Sequence, residues 1–123
     1  MINTIHEVIT AYIKVLASLN VKMYKGFKPL TEEGECIVVG YMPIYKNNVN
    51  SINDVVIFLY VKKLNGEMDS LRISTLCGLV SGKVDTLVST KGVILCTEES
   101  EPETSNMDEN YTVTIIKYKT INS

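Results

Sequence analysis

Tryptophan is absent from this 123-residue chain, histidine occurs once, and proline and cysteine occur three times each. Each scarcity removes a class of function. His6 has no second imidazole to complete a metal site and only Glu7 beside it, so it reads as a solvent-facing residue in a first helical turn. Cys36, Cys77 and Cys96 are odd in number, widely spaced and set among Ile, Val and Leu. That suits small buried hydrophobes in a reducing compartment rather than a disulfide framework. No uncharged apolar run approaches the roughly 18 residues a membrane span needs, and Met1-Ile2-Asn3-Thr4 lacks the basic region of a signal peptide. The expectation is a soluble intracellular protein with no membrane partner. An excess of basic charge is missing too, because 12 Lys+Arg against 14 Asp+Glu gives a net charge of −2. Nothing there would wrap nucleic acid.

What is present is a hydrophobic content of 46%, enough for one core and one domain over residues 1–123. The negative charge is local: Glu98, Glu99, Glu101, Glu103, Asp108 and Glu109 fall in a stretch with no basic residue. Ile5, Val8, Ile9, Tyr12, Ile13 and Leu16 lie on one helical face and predict a helix over about 4–19, with Thr4 and Glu7 spaced as a capping box. Short strands are predicted over 21–25 and 35–41, an Asn-rich loop over 46–53, and a clear strand over 54–63. Asn65-Gly66 marks a turn. Asp69 or Ser70 can then cap a helix over about 69–88 with an apolar face of Leu71, Leu76, Leu79, Val80, Val84 and Leu87. Gly78 and Gly82, four residues apart in that helix, suggest close approach to the sheet. Strands over 93–97 and 111–121 follow, separated by an acidic loop expected to be poorly ordered.

The fold class is therefore α+β, a mixed, mostly antiparallel sheet with two helices in the order α-β-β-β-α-β-β. In the third strand Val55, Ile57, Leu59 and Val61 point one way while Val56, Phe58 and Tyr60 point the other, so both faces want cover. The second strand repeats this with Cys36 and Val38 against Ile37, Val39 and Tyr41. Two helices side by side cover about one face of such a sheet, and an apolar patch left on the other usually marks an interface. Helices on opposite faces, or a sheet that curls over itself, would satisfy the same pattern.

No motif assembles catalytic chemistry. Gly78-Leu-Val-Ser-Gly82-Lys83 has the wrong spacing for a phosphate loop and falls inside a helical pattern. The acidic stretch lacks the alternating ligands and central Gly of an EF-hand. Lys117 and Lys119 flank only Tyr118, too little for a single-stranded nucleic-acid platform. No cofactor, metal or catalytic residue is assigned.

The element order resembles that of the tail-terminator (tail-completion, neck) proteins of long-tailed bacteriophages and prophages. The likeness runs through the helix Thr4–Leu19, the link through Gly26 and Pro29, the strands Cys36–Tyr41 and Asp54–Lys63, the helix Asp69–Val88 and the final strands Val93–Thr97 and Tyr111–Ile121. It is a likeness of pattern, since that family has no invariant catalytic motif. The resemblance implies a non-enzymatic structural subunit, made in the bacterial cytoplasm and built into the virion tail. It implies a ring, usually hexameric, whose partners are further copies, the tail-tube protein and the neck or connector protein, with DNA passing through the lumen without specific binding. Candidate assembly contacts are Val56, Phe58 and Tyr60 and the acidic residues Glu98, Glu99, Glu101, Glu103, Asp108 and Glu109, which would dock on a basic patch or face the lumen. Another head–tail joining protein, such as a stopper or adaptor, would share these features. A small α+β ligand-binding or effector domain, with Tyr12, Tyr24 and Tyr41 as polar handles between helix and sheet, is the reading from a different class. An enzyme built from carboxylates and tyrosines is disfavoured by the poverty of bases.

Overall fold

The structure is a computed structural model that describes residues 5–46, 51–85, 94–98, 102–106 and 110–122. Helix α1 (Ile5–Leu16) buries Val8, Tyr12 and Leu16, spaced four apart on one face. It tightens into a 3-10 turn over Ala17–Leu19, closed by Asn20 in the left-handed region with its N–H on the Ala17 carbonyl. The strands are β1 (Lys22–Lys25), β2 (Cys36–Lys46), β3 (Ser51–Lys62), β4 (Ile94–Glu98), β5 (Glu103–Asn106) and β6 (Tyr111–Asn122), with helix α2 (Ser70–Val84) between β3 and β4. This is the expected α+β order with β5 added. The sheet order is β1-β2-β3-β6-β4, and β5 also pairs with β6. Only β1–β2 is parallel among the described pairs.

Both helices lie on one face of the sheet. Val8, Tyr12 and Leu16 of α1 and Ile73, Leu76, Val80 and Val84 of α2 form one core with Ile37, Val39, Val55, Ile57, Leu59, Val61, Ile116 and Tyr118. Asp69 caps α2, its Oδ1 accepting from the Arg72 N–H at 3.1 Å. Asn65 and Gly66, both at positive φ, make the tight turn between the paired Leu64 and Glu67.

Four expectations are corrected. Ser51, Ile52 and Asn53 belong to β3, not to the Asn-rich loop, because β6 pairs with them without interruption through Asn122. Leu71 and Leu79 lie on the exposed side of α2, and Ile73 takes the core position. Gly78 and Gly82 approach no part of the sheet, since a Cβ at either would meet nothing within 4 Å. The acidic segment is not wholly a loop, because Glu98 ends β4 and Glu103–Asn106 is β5, held on β6 by its ladder and by a Thr104–Thr114 hydroxyl hydrogen bond of 2.8 Å. Helix residues 86–88, Val93 and Thr4 lie outside the described residues.

β4 and β5 run in series along one edge of β6. Glu98 pairs with Tyr118 and Glu103 with Ile115.

Candidate functional site

The sheet face turned away from the helices carries the candidate site. Cross-strand register places Tyr24, Val38, Phe58, Ile115 and Glu103 in one row, and Lys22, Cys36, Tyr60, Val113 and Ser105 in the next. Val56, Phe58, Tyr60, Val113 and Ile115 are half-buried, which leaves apolar surface on a face that no helix covers among the described residues. Lys62 lies exposed at one end, and Lys117 and Lys119 lie exposed at the other. Asp54, opposite Lys119, is half-buried, and its Oδ1 makes no hydrogen bond.

Phe58 leans across the pair to Gly40, whose missing Cβ would stand 3.5 Å from the Phe58 ring. A larger residue at position 40 would have to share the space that the ring fills. Tyr60 continues the aromatic row, with its centroid 6.5 Å from Phe58 and 6.3 Å from Tyr111, the latter edge-on at 88°.

The crossover from β1 to β2, residues 26–35, closes the Tyr111 end of this face. Gly26 turns it at φ 82°, its N–H donating to the Val39 carbonyl at 3.0 Å. Lys28 Nζ donates to the Glu32 carbonyl at 2.9 Å and stands 5.0 Å over the Tyr111 ring. Tyr111 donates back to the carbonyls of Gly34 at 3.0 Å and Glu32 at 3.3 Å. At its far end Glu35 forms a bidentate pair with Arg72 of α2, Nη2 to Oε1 being 2.6 Å. Cys36, beneath the crossover, is fully buried, and burial together with the charge of Glu32 pushes its thiol up to about 11. Burial and the neighbouring Glu32 also raise the Tyr24 hydroxyl.

Beside the crossover is an open cleft of about 380 Å³ lined by Asn20, Val21, Lys22 and Thr31 to Glu35. Glu32 lies in it with Oε2 3.7 Å from Lys22, while Oε1 is shielded from solvent and makes no hydrogen bond. Among the described residues no group of three His, Cys, Asp or Glu could hold a metal ion. His6 is exposed, its Nε2 3.5 Å from Thr10 Oγ1. Tyr12 cannot serve as a polar handle in a pocket, because it has no exposed surface and packs on Tyr118 at 6.3 Å. No helix among the described residues is long and apolar enough to cross a membrane.

Of the residues singled out in the sequence, the structure brings Val56, Phe58 and Tyr60 together on the uncovered face. Glu103 joins their border opposite Ile115, and Glu98 stands on β4 opposite Tyr118. Glu99, Glu101, Asp108 and Glu109 lie outside the described residues. Val113 and Ile115 were missed, although their odd-numbered alternation in 111–121 signals one face of a strand. Also missed was the outward side of α2, where Leu71 is 78% and Leu79 44% exposed.

No protein-family model matches the chain, and no curated protein matches it. Among solved structures, a chain of the native gene transfer agent (GTA) virion particle matches with a TM-score of 0.54 at 11% sequence identity, over 94% of this chain and 92% of that one. The chain thus shares its fold, across nearly its whole length, with a protein of that virion.

Proposed function

We propose that the protein is a non-enzymatic structural subunit of a phage-like virion, acting at the tail as a ring that caps the tail tube and joins it to the head connector. One conjunction supports this reading: an apolar sheet face that the crossover covers only at one end and no helix covers among the described residues, in a fold shared over 94% of the chain with a chain of the GTA virion. A ring subunit needs complementary surfaces rather than an active site, and Val56, Phe58, Tyr60, Val113 and Ile115 supply one. The ring is hexameric in this reading, its partners are the tail-tube and neck proteins, and DNA passes its lumen without specific contact. The carboxylates of 98–109 either dock on a basic patch of a partner or line the lumen, where they repel the DNA backbone.

Deleting the gene from the bacterium that carries it, followed by electron microscopy of the particles, tests the assignment. A terminator's loss gives tubes longer than the parent's with no heads attached. Tubes of parental length beside unattached heads transfer the protein to the head–tail joining class. Unchanged particles that contain none of the chain by mass spectrometry refute a virion role.

A further inference from the structure

The crossover from β1 to β2 is fastened to the sheet mainly by polar contacts. Its large apolar side chains face away from the sheet, Phe27 being 73% and Leu30 99% exposed, and Pro29 is only half-buried. Its ties include the Tyr111 hydroxyl on the Gly34 and Glu32 carbonyls, the Lys28 ammonium over the Tyr111 ring, the 3.7 Å pair of Glu32 with Lys22 and the pair of Glu35 with Arg72. From Lys28 to Glu35 the one backbone–backbone hydrogen bond among the described residues is internal, the Glu32 N–H donating to the Pro29 carbonyl at 3.1 Å. Lys28 Nζ reinforces it by donating to the carbonyls of Glu32 at 2.9 Å and Pro29 at 3.3 Å, so the segment holds its own shape.

Each end of the segment carries a glycine. Gly26, at φ 82°, and Gly34 both have nothing within 4 Å of where a Cβ would stand, so the backbone can turn at either without a collision. Outside these points the chain is held, since β1 pairs with β2 from Lys22 to Lys25 and Arg72 grips Glu35 through two nitrogens. The closed position also carries a penalty, because Glu32 Oε1 is shielded from solvent without a hydrogen bond and regains water once the segment lifts. Beneath it lies Cys36, with no exposed surface and with Tyr60 opposite it on β3. After burial itself, the charges that act on the Cys36 thiol are those of Glu32, Lys28 and Glu35, three residues of the crossover.

We infer that residues 27–34 form a strap that lifts off the sheet as one unit about Gly26 and Gly34 while the strands stay paired, uncovering Cys36, Tyr60 and Tyr111 as a continuation of the apolar face of Val56, Phe58, Val113 and Ile115. The strap thereby sets the size of that face. Closed, it ends the apolar surface near Tyr60; open, the surface runs on to Tyr111 at the start of β6. Lifting the strap breaks a few polar contacts that water replaces, whereas moving a central strand would break a long ladder and open the helix-covered core. The motion belongs to the isolated chain and is independent of the virion role.

Cys36 reports the opening in protein whose other thiols are removed by Cys77→Ala and Cys96→Ala. The aromatic disulfide dithiobis-nitrobenzoate should label it well below the urea unfolding transition, at a rate that urea hardly changes, because lifting a strap exposes far less surface than unfolding does. Tyr111→Phe in the same background should quicken the labelling about 5- to 30-fold, with far-ultraviolet circular dichroism like the parent's. Labelling that occurs only with global unfolding, following the urea dependence of the dichroism, overturns the strap, and so does a Tyr111→Phe rate equal to the parent's. Amide hydrogen exchange locates the hinge: residues 27–34 should open without Lys22–Lys25, and joint opening of the two overturns the pivot at Gly26.

Discussion

Replacing Tyr111 with Phe removes one oxygen from the point where the 26–35 crossover is fastened to the sheet. The ring is buried and keeps its edge-on contact with Tyr60 and the Lys28 ammonium above it, so packing is unchanged. The lost hydroxyl shares its single proton between the Gly34 and Glu32 carbonyls. A hydrogen bond of this kind contributes about 1 kcal/mol net, and the Gly34 carbonyl left without this donor raises the loss toward about 2 kcal/mol, while Lys28 still serves the Glu32 carbonyl. For a chain of this length that corresponds to a fall in Tm of roughly 4–8 °C. The loss should be local at first, because β3 and β6 hold each other through a ladder of twelve residue pairs that the hydroxyl does not touch. Amide hydrogen exchange followed by mass spectrometry should therefore quicken about 5- to 30-fold over residues 27–35, while β3 and β6 slow the exchange of their amides nearly as before. An unchanged Tm with unchanged exchange in 27–35 would show that the crossover is held by other contacts. Equal acceleration throughout the chain would show that it does not open on its own.

The raised Cys36 thiol predicts a stability that is intact below pH 9 and declines as pH rises from 9 towards about 11, since the unfolded chain there releases a proton that the folded one keeps. The decline amounts to about 2–3 kcal/mol at most, and urea midpoints of Cys36→Val should lack that part of the slope; equal slopes refute the assignment. Arg72→Ala should cost about 1 kcal/mol in urea unfolding, because the pair with Glu35 is bidentate but partly solvated, at 37% and 25% side-chain exposure. A loss beyond about 3 kcal/mol would mean that the pair organises the crossover as a whole. Changing Glu98, Glu99, Glu101 and Glu103 to Gln should leave the fold intact. On the proposed role it should also either abolish salt-sensitive docking on the tail tube or impair DNA passage, and a variant that assembles and transfers DNA like the parent removes any role for these carboxylates.

The parts of the fold legible in the sequence are those where one physical preference dominates. Helix α1 announces itself because Val8, Tyr12 and Leu16 recur at the pitch of a helix with one side to bury. β3 is as plain, since β-branched and aromatic residues fill both of its faces, and from that doubling the uncovered face follows. What failed depended on partners distant in sequence. Asn53 and Ser51 favour turns locally, but β6 offers a continuous ladder that outweighs the preference. Glu103-Thr-Ser-Asn has no apolar alternation and becomes a strand because the free edge of β6 beside Thr112 and Thr114 accepts it. In α2 the large Leu71 and Leu79 looked like core, yet position on the helix, not size, decides burial, and Ile73 stands at the right angle. The crossover's fastening was invisible because Tyr111 and Gly34 are 77 residues apart.

The placement of β6 has a consequence for synthesis. It follows every other strand in the sequence yet stands inside the sheet, between β3 and the β4–β5 edge. A chain leaving the ribosome can pair β1, β2 and β3 and set both helices on them, but it then carries the bare edge of Val55–Val61 until Tyr111 and its successors emerge. At about 5–20 residues per second the intervening stretch takes roughly 2–10 s. For that interval the nascent protein displays a long β-branched edge, and many ribosomes translating one message hold such edges at high local concentration. Co-translational chaperone demand, and inclusion bodies when expression outruns it, should trace to this wait for a single strand.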